Sequence, residues 1–411
     1  MNVLMLVMSD VAHDSRVLRE AVALADQGHA IHVVGKDVPP GWSPPRGVTV
    51  ESVSGGSGLK PGPKGASGGP RPVASATPLR RAARWLLLPR HRRHVWGTWC
   101  ARAEAAVEGR GFEVVHAHDF NVLRLAARLA ERENAQLVYD SHEWWSGRER
   151  HGRPTPLERA RERRIERRLV RRADAVLTVS DGIAERLGKW RGGQVMVVRN
   201  TFPANGGRAG TGTGTGANAA VALQQRPTGV VYAGRIGAAR DLETLLPAAA
   251  SARLDTYLMG QVDREYLHRI RVTTGTVRIE PARPVDEVDD VLRRGGISVV
   301  TLTDSCENHR LALPNKLFHA VRAGVPVVAA DLPELRRMVT RYGLGRLYRP
   351  GDPESMRAAL ELVVADYPRW CAQVAQAKDE LSWERDAAVL IGVYEALPKR
   401  DAATARTVGA R

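Results

Sequence analysis

The sequence predicts an α/β protein built of two doubly wound parallel sheets, and three observations carry that expectation. Short β-branched strands alternate with amphipathic helices in two series along the chain. A Gly/Thr-rich interruption separates the series. The run Leu313–Ala329 (LPNKLFHAVRAGVPVVA) is a complete helix-to-strand step, opening at Pro314, closing at Gly324 and continuing into a strand apolar on both faces.

The first series opens with a strand at Val3–Met8. A helix over Ser15–Gly28 follows, with Val17, Leu18, Ala21, Leu24 and Ala25 on one face. Ile31–Val34 is the next strand. Val114–His116, a helix over Asn121–Glu133 and a strand at Gln136–Tyr139 come next. A strand at Ala175–Val179, a helix at Gly182–Leu187 and a strand at Val195–Val198 close the series near Asn200. The second series begins at Val230–Ala233 and a helix from Asp241. Strands at Thr256–Met259 and Val277–Ile279, a helix at Asp286–Arg293 and a strand at Ile297–Leu302 lead to the step at Pro314. Helices at Pro353–Val364, Tyr367–Leu381 and Ala387–Leu397 finish it.

A length of 411 residues exceeds what one core comfortably fills, so two domains are expected. They are placed at 1–202 and 229–380, joined by a linker over 203–228. A helix within 381–400 returns to the first domain, and a tail covers 401–411. Segment 54–78, rich in Gly, Pro and Ser, is expected to be disordered. Three scattered cysteines form no metal spacing and suit a reducing cytoplasm. Met1–Met8 lacks a basic n-region, and no apolar run approaches a membrane span. The expected location is therefore cytoplasmic, with peripheral contact at the inner face of the cell membrane as an option.

The formal net charge of +16 is concentrated in the first half. Residues 52–103 hold ten Lys/Arg and no acid, and residues 145–172 hold eleven Arg against four Glu. Anionic lipid, a phosphate-bearing substrate and nucleic acid are the partner classes such charge attracts. With aromatics at 5% and no recognition motif, nucleic acid ranks last. Residues 79–99 mix arginines with Trp85, Leu86, Leu87, Leu88 and Trp96. That composition suits an interfacial helix at an anionic membrane, or a helix packing Leu86–Leu88 on the core. The arginine helix 157–172 reads as a solvated face.

Chemistry concentrates in the second half. An opening proline leaves the amides of Asn315 and Lys316 without intrahelical acceptors. Together with the helix dipole and the lysine charge they form an anion cradle. Gly234-Arg235-Ile236 follows a strand, and Arg240 stands at the mouth of the next helix. Two guanidiniums converging on a βα turn suit a diphosphate, at the strand ends where open sheets bind ligands. Two phosphate-loop look-alikes fail on context. The Gly210–Gly216 run follows no strand, and Gly182–Lys189 has the wrong spacing and no Ser/Thr after the lysine. The first βα turn, Ser9–Ser15, contains no glycine, which counts against a dinucleotide fingerprint.

These residues resemble those of a family 4, retaining glycosyltransferase of the GT-B fold, and the likeness spans nearly the whole chain. In the first half it rests on Asp14-Ser15-Arg16-Val17-Leu18-Arg19-Glu20-Ala21, Gly28-His29, His116-Ala117-His118-Asp119, Asp140-Ser141-His142-Glu143, Val179-Ser180 and Asn200. In the second half it rests on Gly234-Arg235, Arg240 and Leu313–Phe318 through Gly324 and Pro326. The resemblance implies two Rossmann-like domains facing a cleft, the second holding a nucleotide-diphosphate sugar (UDP or GDP) and the first an unidentified hydroxyl acceptor. It implies no metal and no cofactor. By position, it implies that Arg235, Arg240 and Lys316 stabilise the leaving diphosphate with His118 facing the donor sugar. It places Gly234, Pro314 and Asn315 around the donor, and Asp14, Arg16, Asp119, His142 and Glu143 on the acceptor side. For His118 the alternative is a strand-end histidine bonded to a neighbouring carbonyl.

The chain also departs from the pattern. Leu311 and His319 stand where the family carries glutamates eight positions apart. A leucine accepts no hydroxyl hydrogen bond, so Glu307 and Asn308 become the candidates for sugar contacts, with His319 for the ribose. The same departure keeps two rival functions open: a nucleotide-sugar epimerase of this fold, and a glycosyltransferase-like binding protein without catalysis.

Overall fold

The computed structural model describes residues 1–54, 94–149, 156–204, 226–270 and 276–398. The expectations for 55–78, for 79–93, for most of the linker including Gly210–Gly216, and for the tail lie outside these residues.

The first series runs β1 (Asn2–Leu6), α1 (Ser15–Asp26), β2 (Ala30–Lys36), β3 (Val48–Val53), α2 (residues 94–106), β4 (Val114–His118), α3 (Phe120–Arg132) and β5 (Gln136–Ser141). It continues with α4 (Pro156–Arg172), β6 (Ala175–Thr178), α5 (Asp181–Arg191) and β7 (Met196–Val197). Its sheet has the order β3-β2-β1-β4-β5-β6-β7. β1 and β4 are the central neighbours and are buried on both faces, as strands covered by helices on each side must be, although one face of β4 carries His116 and His118.

The second series comprises β8 (Gly229–Ala233), α6 (Leu242–Ser251), β9 (Asp255–Met259), α7 (Arg264–Arg269), β10 (Val277–Glu280), α8 (Val285–Gly295) and β11 (Gly296–Val300). α9 (Glu307–Leu311), α10 (Asn315–Ala323), β12 (Val327–Ala330), α11 (Pro333–Tyr342) and β13 (Gly345–Tyr348) follow. The helices α12 (Pro353–Ala365), α13 (Tyr367–Ala377) and α14 (Trp383–Glu395) end it. This sheet is parallel, in the order β10-β9-β8-β11-β12-β13. Its core joins β8, β11 and β12 to α6, α10 and α12 through Val231, Leu245, Val299, Phe318, Val328 and Leu360, all essentially inaccessible.

Two compact units form. Among the described residues, one comprises those within Met1–Ser141 and Arg150–Val176 together with 396–398. The other comprises His142–Glu149 and Leu177–Glu395. Segments 142–149 and 177–202, assigned from sequence to the first domain, thus associate with the second unit. The terminal helix α14 belongs there too, through Trp383 N–H to Phe202 O (2.9 Å) and a short bond from the Thr201 hydroxyl to Asp386. No described helix is long and apolar enough to cross a membrane.

Local signals explain most boundaries. Asp14 caps α1 by accepting from the Val17 amide at 3.3 Å, and Ser180 caps α5 through Ile183 at 3.4 Å. Pro314 is the N-cap of α10 (φ −65°, ψ 145°), one position before the first helical place expected of it. The clash a proline imposes on its predecessor is met because Leu313 ends the preceding loop. The helix expected over 367–381 stops at Ala377, and the sequence reading misses β3, α7, α9, α11 and β13.

Candidate active site

Within the second unit, β8, β9 and β10 end together at their carboxyl edge, and a cavity of about 480 Å³ opens there. Gly234, Arg235, Gln261, Arg283, Asn315, Lys316 and His319 are among its lining residues. Backbone geometry makes the room. Gly234 has φ +154°, and a Cβ on it would sit 2.9 Å from both Cε and Nζ of Lys316. At Gly260 a Cβ would lie 2.1 Å from the Gly234 carbonyl oxygen, so the turns after β8 and β9 touch backbone to backbone. The Tyr232 hydroxyl donates to the Arg235 carbonyl at 2.7 Å, and that pins the turn carrying Arg235.

Charge gathers around this turn. Lys316 is half-buried as a residue, but its Nζ lies 4.7 Å over the Tyr232 ring and has no carboxylate partner among the described residues. Burial first, and then the charge of Arg240, push its pKa down to about 7. The Tyr232 hydroxyl is pushed up to about 12 by burial, which outweighs the opposing pull of Arg240. Arg235 is 60% exposed and only leans toward Asp263 at 3.9 Å, which leaves it able to swing. No side chain caps the start of α10, so the Asn315 and Lys316 amides have no intrahelical acceptor. Of the cations named from sequence, Arg235 and Lys316 thus line one cavity, and Arg240 is close enough to disfavour the lysine charge.

His319, one turn beyond Lys316, lines the same cavity. Its ring lies 4.3 Å from that of Phe202, and its Nδ1 is 3.7 Å from Asp289, which Arg322 holds at 2.7 Å. Burial works to raise the Asp289 carboxyl, but hydrogen bonds from His319 and Arg322 outweigh it and hold the group below its ordinary value.

Glu307 and Asn308 do not line the cavity. Glu307 accepts from the Trp144 indole at 2.7 Å and forms a short pair with Arg186. Asn308 accepts from the Trp144 amide at 2.7 Å and donates to Glu143 at 3.2 Å. Both side chains therefore fasten the 142–149 segment, which carries half-buried His142 and the Glu143–Arg148 pair (2.6 Å). Leu311 is a packing residue: its Cδ2 would lie 2.8 Å from a Cβ on Gly182, and its carbonyl accepts from Ser180 at 2.7 Å.

In the first unit, the β4–β5 register sets His118 beside Asp140. His118 Nδ1 is 3.4 Å from the Asp140 carboxylate, and the His116 ring stacks 4.3 Å away, two residues back on the same strand face. Arg16 donates to Asp140 through Nε and an Nη, both at 2.8 Å, and its Nε also reaches Glu20 at 3.0 Å. All five side chains are buried. Ligand atoms of Glu20, His116, His118 and Asp140 lie within 4.8 Å of one another, a span that could hold a cation. The Arg16 guanidinium already supplies positive charge to both carboxylates, which disfavours a metal there. Of the other acceptor-side residues, Asp14 caps α1, and Asp119 starts α3 at φ +68° with its amide bonded to the Asp140 carbonyl at 2.8 Å.

Sequence reasoning reaches Glu20, His116 and Asp140 only as parts of motifs, and it misses Gln261 and Arg283. The signals are present in part: Arg16 and Glu20 stand i, i+4 on a helix, and His116 and His118 stand i, i+2 on a strand.

Two Rossmann-like parallel sheets, with a cationic cavity at the strand ends of the second, define a GT-B-type α/β enzyme. Residues 13–201 match the glycosyl transferase 4-like domain and residues 227–366 match the glycosyl transferases group 1 domain. The chain belongs to this family of glycosyltransferases. Among solved structures, sucrose-phosphate synthase from Thermosynechococcus elongatus is similar at 17% identity and a TM-score of 0.69, over 97% of this chain and 99% of that one. Anabaena HepE in complex with UDP and glucose is similar at 15% identity and a TM-score of 0.63, over 97% and 99%. The lipopolysaccharide outer core galactosyltransferase WaaB is similar at 12% identity and a TM-score of 0.55, over 96% and 99%. Among curated protein sequences there is no significant match.

Proposed function

We propose that the protein transfers a sugar, with retention and without a metal ion, from a nucleoside-diphosphate sugar to an acceptor hydroxyl. The observation that carries this reading is the cavity of the second unit, where Lys316, Arg235 and the open amides of α10 face one space. Departure of the nucleoside diphosphate places about one extra negative charge on its β-phosphate, and preorganised cations and amides stabilise that charge. Lys316 and Arg235 take this role directly, and Arg240 raises the local potential. His118, held between Asp140 and His116, is assigned to the donor sugar. The leaving phosphate oxygen takes the acceptor proton, so no separate protein base is required. HepE, whose structures hold UDP, UDP and glucose, or UDP-glucose, makes a uridine donor the first to try.

The test is Arg235→Ala in a transfer assay, after a thermal-shift screen of UDP-, GDP-, dTDP- and ADP-sugars has found the donor. Turnover is expected to fall at least ~100-fold while the protein melts as before, because Arg235 is an exposed side chain. Unchanged turnover would remove Arg235 from the charge-stabilising set.

A further inference from the structure

Apart from the donor cavity, a second concentration of charge lies wholly within the first unit. Arg161, Arg164, Arg167, Arg168 and Arg171 of α4 and Arg124 of α3 wall a groove of about 680 Å³. Arg161, Arg164, Arg168 and Arg171 recur three and four residues apart, so they share one face of the helix. The opposite face is buried and carries Glu162, Glu166, Leu169 and Val170, with Glu166 accepting from Tyr139 at 2.9 Å. Among the described residues, Arg124, Arg161, Arg164, Arg167 and Arg168 have no hydrogen bond or ion pair. Nearby, by contrast, Arg128 and Arg172 pair with Glu104 and Glu131 at 2.8 and 3.2 Å. Self-repulsion among so many unpaired guanidiniums is a cost that a structural role does not explain. Leu157 falls on the same face four residues before Arg161 and is 82% exposed. A second cavity of about 590 Å³ shares Arg124 and Arg168 with the groove and adds Trp96, Leu125 and Leu169.

We propose that this face of α4 docks on the surface of an anionic phospholipid bilayer, arginines on the phosphates and Leu157 among the acyl chains. Charge complementarity selects the partner, and the exposed leucine at the tip of the stripe selects a bilayer over a soluble polyanion. This contact lies on a different helix from the one expected over residues 79–99. It is independent of the donor reading, because no residue of the donor cavity takes part.

Co-sedimentation of the full-length protein with phosphatidylcholine vesicles, with or without about a third phosphatidylglycerol, tests it. Binding is expected only with the anionic lipid, and it should weaken as salt rises. The triple variant Arg161→Glu/Arg164→Glu/Arg168→Glu should bind at least ~100-fold more weakly while its melting temperature and thermal response to the donor nucleotide stay unchanged. Leu157→Ser should cost about tenfold with the charges intact. Absence of binding to anionic vesicles, or equal binding by the triple variant, overturns the proposal. So does a Leu157→Ser variant that binds like the parent, or a protein that binds soluble polyphosphate while ignoring vesicles.

Discussion

Lys316 ties nucleotide binding to pH in a way that can be worked through in numbers. With a pKa near 7 in the free protein, its ammonium is fully charged well below pH 7 and neutral well above. A bound diphosphate holds the ammonium charged, so binding above pH 7 must first take up a proton. The apparent dissociation constant then scales as one plus ten to the power of pH minus pKa. Between pH 7 and 9 affinity should fall about 50-fold, the limit being tenfold per pH unit. The phosphate itself does not confuse the measurement, since its last ionisation lies near pH 6. Isothermal titration of the nucleoside diphosphate in two buffers of different ionisation enthalpy should report close to one proton taken up at pH 8. Lys316→Met should bind weakly at every pH and show no slope. Flat affinity from pH 7 to 9 in the parent protein, or the same slope in Lys316→Met, would refute the reasoning. Stability gives a check that needs no ligand. The folded pKa of this base is lowered, so between about pH 7 and its ordinary value the unfolded chain binds more protons and the parent gains stability as pH rises. Lys316→Met should therefore melt higher than the parent below pH 7, and the gap should close as pH climbs toward 10.

Two backbone and core predictions accompany this one. Gly260→Ala should destabilise by at least ~2 kcal/mol in denaturant titration, because φ +145° excludes a side chain and the new Cβ meets the Gly234 carbonyl. A loss below the error of the titration would show that the β8 and β9 turns are not in contact. Arg16→Met should cost about 3–5 kcal/mol, since it strands two buried carboxylates, Glu20 and Asp140. Adding Asp140→Asn and Glu20→Gln to it should recover part of that loss; no recovery would mean that Arg16 acts through packing alone.

What could be read from the sequence follows the range of each interaction. The step at Pro314 was legible because its signals lie close together along the chain: a proline, a closing Gly324 and an apolar strand. Gly234-Arg235 was legible because a strand end and a turn adjoin in sequence. The buried cluster of the first unit was legible only as motifs, because Glu20 and Asp140 meet through α1 packing on the sheet and through the β4–β5 register. Glu307 and Asn308 illustrate the opposite case. Their place just before the anion cradle suggested donor contacts, but partners far away in sequence, Trp144 and Glu143, hold them instead. β3 escaped notice because its burial alternates weakly, as an edge strand's does.

The two polar centres of the molecule differ in one physical respect, and that difference argues for their roles. Around Arg16, positive charge is matched: one guanidinium serves two carboxylates, and burial is tolerated because each partner is present. Around Lys316 it is unmatched, since Arg240 repels the ammonium and no carboxylate answers it among the described residues. A protein that keeps an unmatched lysine at the edge of a cavity holds that cavity at a raised potential until an anion arrives. The same potential discriminates by charge: a diphosphate, which spans the α10 amides, Lys316 and Arg235 together, gains more from it than a monophosphate reaching one of them. Nucleoside monophosphate should accordingly bind at least ~10-fold more weakly than the diphosphate of the same base at pH 7, and Lys316→Met should erase most of that preference.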